Sequence, residues 1–106
     1  MLVVLTTTPD SEEAERLAHS LVNEKLAACV QILPKMTSVY FWEGKVQTEP
    51  EQLLLIKTLE EKFDALSEFI KKNHSYDVPE IVAIDAARVS DDYLSWVRQV
   101  VAGQPS

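Results

Sequence analysis

Val39-Tyr40-Phe41-Trp42-Glu43-Gly44-Lys45-Val46 is the stretch that decides the fold. Four strand-favouring residues run into the turn Glu43-Gly44-Lys45, and Val46 to Lys57 runs back as a further strand. A turn this short joins only antiparallel neighbours, which rules against a doubly wound parallel sheet. Upstream, the β-rich character reaches back to Cys29 and is interrupted only at Pro34-Lys35. A strand over Leu2 to Thr8 stops at Pro9, and a helix follows with Asp10 as its N-cap and Glu13 three residues on, the spacing of a capping box. Its apolar positions Ala14, Leu17, Ala18, Leu21 and Val22 form one stripe. Downstream of the hairpin, Thr58 and Glu61 repeat the capping-box spacing ahead of Phe63, Leu66, Phe69 and Ile70. A loop from His74 to Pro79 leads to a strand over Ile81 to Ala86. Ser90 then caps a last helix carrying Leu94, Val97, Val100 and Val101. Strand, helix, strand, strand, helix, strand is the ferredoxin-like βαββαβ order of an α+β domain, with a long antiparallel hairpin and an additional C-terminal helix. Residues 1–103 form a single domain in this reading, and Gln104-Pro105-Ser106 a loose tail.

Composition narrows the function. The chain has 106 residues, 10 Lys plus Arg against 17 Asp plus Glu, and a formal charge of −7. Such a balance repels phosphate backbones and anionic lipid, so neither nucleic acid nor membrane is expected as a partner. An apolar fraction of 46% is too high for a disordered chain. The opening Met1-Leu2-Val3-Val4-Leu5 has no basic segment before it and turns polar at Thr6, unlike an export signal, so a cytoplasmic location is expected. The lone Cys29 permits no internal disulfide. Gly44 and Gly103 are the only glycines, and no glycine-rich phosphate loop or Gly-x-Ser-x-Gly elbow occurs. No constellation of residues asks for an enzyme.

The strands predict an assembly. Val39 and Phe41 point to one side of their strand and Tyr40 and Trp42 to the other. Leu54 and Ile56 oppose Leu53 and Leu55, and Ile81 and Ala83 oppose Val82 and Ile84. Strands apolar on both sides are buried on both sides, and this chain has too few helices to cover both. A domain of this length is roughly 33 Å across, whereas Val46 to Lys57 spans about 40 Å at strand rise. The hairpin therefore projects and offers itself to another copy. Tyr40, Trp42, Leu53 and Leu55 are the expected interface residues.

Several segments resemble one family. Val4-Leu5-Thr6-Thr7-Thr8-Pro9-Asp10 is similar to the opening strand and cap of the CutA divalent-cation tolerance proteins. Leu26-Ala27-Ala28-Cys29-Val30 resembles their Leu-Ala-Ala-Cys signature, and Ser38-Val39-Tyr40-Phe41-Trp42-Glu43-Gly44-Lys45 their hairpin. Ile56-Lys57-Thr58, His74-x-Tyr76, Pro79-Glu80-Ile81 and Tyr93-Leu94-Ser95-Trp96 complete the match in the family's order. The resemblance implies a homotrimer similar to the nitrogen-regulatory PII proteins, tolerance to divalent metals, association with copper(II), and no established catalysis. Some members carry a Cys at the position of Thr6 and a second His at that of Asn73. Of that set this chain keeps His74.

His74, with Asp77 and Glu80 close behind it, is the first candidate for a divalent metal, Cu2+ above all, at clefts between subunits. Cys29, a free thiol in apolar company, is the fourth candidate ligand. No catalytic residue and no obligatory cofactor is expected. Two alternatives are a PII-like module for a small anion or metabolite, and a structural trimer that scaffolds a protein partner. Asp91 and Asp92 read as first-turn anions of the last helix rather than an acid-base pair.

Overall fold

The computed structural model describes residues 1–103. Three helices and five strands occur, one strand more than the expected βαββαβ order because the run from Cys29 to Trp42 is two strands: β1 (Leu2–Thr8), α1 (Ser11–Asn23), β2 (Cys29–Ile32), β3 (Met36–Trp42), β4 (Lys45–Thr58), α2 (Phe63–Asn73), β5 (Val82–Asp85) and α3 (Asp91–Ala102). The tail expected at Gln104-Pro105-Ser106 lies outside the described residues. The run from Cys29 to Trp42 divides at Leu33-Pro34-Lys35, where proline cannot donate to a ladder.

β4 is the spine of the sheet. Its C-terminal half pairs with β1, Val4 opposite Ile56 and Thr6 opposite Leu54, and with β2, Val30 also opposite Ile56. β5 pairs with β1 on the far side, which gives the antiparallel order β2-β4-β1-β5 of a ferredoxin-like sheet. The N-terminal half of β4 pairs with β3 alone, from Met36 opposite Glu51 to Trp42 opposite Lys45. Between them Glu43 (φ 49°) and Gly44 (φ 79°) both have positive φ, as a two-residue type I′ turn requires. The molecule measures 49 × 26 × 23 Å, and the long axis is this projecting hairpin.

Helices α1 and α2 cover one face of the sheet. Leu2, Val4, Leu54 and Ile56 meet Ala14, Leu17, Ala18, Leu21, Leu66 and Ile70 there in one core. α3 closes a smaller cluster of Ala28, Leu59, Val97 and Val101 at the end of the sheet near Met1. On the other face Val3, Leu5, Leu53 and Leu55 are half-buried, and Val82 and Ile84 stand about half exposed, at 48% and 51%. Along the hairpin Val39, Tyr40, Phe41, Trp42 and Val46 are all exposed. Two-sided apolar strands thus emerge as expected, and within one chain their second side stays open.

Asp10 caps α1 as expected, the Glu13 backbone N–H donating to Asp10 Oδ1 at 2.9 Å, but the Glu13 side chain turns to the 74–76 loop and leaves the box half made. The second capping box does not form at all. Thr58 ends β4, fully buried, and its hydroxyl donates to the Leu26 carbonyl at 2.7 Å. A 3-10 turn over Glu60–Lys62 intervenes, and α2 starts at Phe63 with no side-chain cap. A buried hydroxyl facing a carbonyl from another element satisfies that carbonyl, and local cap geometry yields to this long-range bond.

Candidate functional site

At the C-terminus of α2 the backbone leaves helical geometry at His74 (φ −99°, ψ 146°) and the loop turns back across the end of β1. The His74 ring is wholly buried. Its Nε2 lies 2.6 Å from the Thr7 carbonyl oxygen. A carbonyl oxygen can only accept, so Nε2 carries the proton and donates. Nδ1 then accepts, and the Tyr76 backbone N–H supplies its proton at 3.0 Å. Both ring nitrogens are therefore occupied in a neutral imidazole that staples the loop to β1.

Glu13 stands behind this staple. It is buried, and it does not return to its own helix start as a capping box would have it. Instead Oε2 accepts from the Ser75 backbone N–H at 3.0 Å and lies 3.4 Å from His74 Nδ1. On the other side of the loop the Tyr76 hydroxyl donates to Glu51 Oε2 at 2.8 Å, tying residue 76 to β4. The rings of His74 and Tyr76 are 4.7 Å apart. Burial, and then the hydrogen bond and negative charge of Glu51, hold the Tyr76 hydroxyl well above the usual tyrosine range.

Beside Tyr76 an open groove of about 560 Å³ lies between the hairpin and the loop. Thr7, Ser38, Val39, Tyr40, Trp42, Glu51, Tyr76, Asp77, Val78 and Glu80 line it. Three carboxylates and three aromatic rings face it, and no basic side chain does.

The four expected metal ligands do not converge in one chain. Asp77 and Glu80 line the groove, and His74 lies behind them with both nitrogens used. Cys29 is elsewhere. It pairs with Lys57, which in turn faces Val3, and Val3 is about 13 Å along β1 from Thr7 at strand rise. Among the described residues no three His, Cys, Asp or Glu side chains gather as a metal site. Of the expected interface residues, Tyr40 and Trp42 are 42% and 46% exposed on the hairpin, while Leu53 and Leu55 are half-buried on the open face. Sequence reasoning assigned Glu13 only to a capping box and did not single out Glu51. The first was hidden by its cap spacing, and the second carries no local signal because Tyr76, its partner, is 25 residues away.

The sequence matches the CutA1 divalent ion tolerance protein family over residues 2–100. The chain belongs to the CutA1 divalent ion tolerance family. Its relatives include the chloroplastic protein CutA 1 of Oryza sativa, 53% identical over 92% of this chain and 55% of the rice protein. The divalent-cation tolerance protein CutA of Thermus thermophilus is 48% identical over 92% of this chain and 94% of its own length. The chain thus spans about half the length of the plant relative and nearly all of the Thermus one. A solved structure of the Thermus CutA1 superposes with a TM-score of 0.92 at 47% identity, covering 95% of this chain and 99% of that one. The ferredoxin-like α+β fold is therefore that of CutA1 structures. Among the described residues no helix is long and apolar enough to cross a membrane.

Proposed function

We propose that this CutA1 family member works as a homotrimer that binds a divalent cation, copper(II) or a close relative, weakly at its inter-subunit clefts, without catalysing a reaction. The observation that carries the cation reading is the groove itself, where Glu51, Asp77 and Glu80 face one space with no basic side chain among them. Asp77 and Glu80 supply the first oxygen ligands. His74 joins only if its bond to the Thr7 carbonyl opens, and Cys29 only across a subunit boundary. The same acid lining counts against a small anion. Assembly is supported by the apolar second side of the sheet and hairpin, since contiguous exposed apolar surface marks interfaces. A cytoplasmic location belongs to the same reading; cell fractionation tests it.

Native mass spectrometry at micromolar protein, with and without copper(II), is the deciding experiment. The expected species is 36 kDa, three times the 12.0 kDa chain, taking up copper that the double variant Asp77→Asn/Glu80→Gln does not. A 12.0 kDa species would overturn the assembly. A trimer that ignores copper and other divalent ions would overturn the metal reading while leaving the assembly standing.

A further inference from the structure

Among the described residues, no backbone-to-backbone hydrogen bond ties residues 75–81 to the rest of the chain. Side chains hold this loop instead, at three successive residues and from three different elements. His74 Nε2 donates to the Thr7 carbonyl of β1, the Ser75 N–H donates to Glu13 of α1, and the Tyr76 hydroxyl donates to Glu51 of β4. Beyond Tyr76, Asp77, Val78 and Glu80 are exposed. A segment without ladder bonds and with few buried contacts opens locally while the rest of the fold stays closed. Both ends are fixed, since Asn73 ends α2 and Ile81 packs against the main core, so the opening is confined to the residues between them.

Tyr76 is the residue on which this closure turns. Its backbone N–H fills His74 Nδ1 at 3.0 Å, its ring lies 4.7 Å from the imidazole, and its hydroxyl reaches Glu51 Oε2 at 2.8 Å. Glu51 stands at the root of the hairpin: Gln52 is opposite Thr8 of β1, and Glu51 is opposite Met36 of β3. We propose that residues 74–80 form a strap over His74 and that the Tyr76–Glu51 bond is its latch. Latched, the strap keeps both imidazole nitrogens occupied. Released, it draws the Tyr76 N–H off Nδ1 and uncovers a ring able to take a ligand. A ligand that needs His74 then binds with its affinity reduced by the fraction of chains that are unlatched. For copper(II) this consequence rests on the metal reading above; the strap itself does not.

Carbethoxylation of the full chain with diethyl pyrocarbonate, at neutral pH with a chelator present and read by peptide mass spectrometry, tests the proposal. The chain has two histidines, and the exposed His19 serves as the reference. His74 should react more slowly than His19, at a rate that stays flat in urea below the unfolding transition, because a strap exposes little surface as it opens. Tyr76→Phe keeps the ring and removes the latch; it should speed His74 about three- to tenfold and leave His19 unchanged. Glu51→Ala should do the same, and the double variant should react no faster than either single one. A rate that climbs with urea as steeply as global unfolding would overturn the strap, and so would a His74 as reactive as His19 in the unaltered chain. Additive effects of the two substitutions, or no effect of Tyr76→Phe, would overturn the latch. No metal enters these measurements, so a failure here leaves the copper reading standing, and an absence of copper uptake leaves the strap.

Discussion

Tyr76 keeps its proton because its ring is partly withdrawn from water and Glu51 takes the hydroxyl hydrogen. The folded chain therefore prefers neutral Tyr76 more strongly than the unfolded chain does. Its contribution to stability is complete below the ordinary tyrosine pKa of about 10 and is lost as pH rises through the higher folded value. In an alkaline absorbance titration, one of the three tyrosines should ionise late, and Glu51→Gln should bring it earlier. Tyr76→Phe should flatten the fall of stability with pH in that range; an unchanged slope would show that another group causes it. At His74, replacement by Ala strips partners from the Thr7 carbonyl and the Tyr76 N–H. Chemical denaturation should register a loss of about 1–3 kcal/mol, whether or not metal is present. No loss would mean that the loop does not depend on the staple. The histidine was conspicuous in the sequence as a metal candidate. Its actual partners, a backbone carbonyl 67 residues away and a glutamate on α1, were not, because such bonds form only after the sheet has assembled.

At the scale of the elements, periodicity was a sound guide and cap spacing only half so. Asp10 caps α1, and Asp10→Ala should cost about 1 kcal/mol in thermal or chemical unfolding. Thr58 stands at the same apparent spacing before α2 yet belongs to the sheet. Thr58→Val should accordingly cost about 1–3 kcal/mol by stripping the part-buried Leu26 carbonyl of its partner, while Glu61→Gln should leave stability within about 0.5 kcal/mol as a surface change. If instead Glu61→Gln frayed α2 in hydrogen exchange, the capping box would have to be restored. Both sites carry Ser/Thr/Asp followed by Glu. What separates them is whether the first residue ends up at a solvent-facing helix start or inside a strand, and a strand that must reach Thr58 to pair with Leu2 takes it away from the helix.

For the whole molecule, the projecting hairpin and the uncovered face of the sheet pose one physical problem, that of apolar surface left in water. In the single chain Trp42 is 46% exposed, so Trp42→Ala would cost an isolated subunit little. Burial between copies would raise the loss to about 3–5 kcal/mol and make the melting temperature depend on protein concentration. Denaturation of Trp42→Ala at two concentrations separates these outcomes. A loss below 1 kcal/mol at both would place Trp42 outside any interface.

The order of elements, the antiparallel hairpin, the helix faces and the CutA1 resemblance were all determined by the sequence alone. They rest on local chemistry: alternation along strands, a 3.6-residue stripe on helices, a two-residue turn through Gly44. Only the tertiary structure decided that Glu13 and Glu51 are buried on either side of the 74–80 loop, that His74 is a staple with no free nitrogen, and that Cys29 lies far along the sheet from it. Those facts depend on contacts between residues 25 to 67 positions apart, and no local pattern encodes which distant partner a buried polar atom will meet.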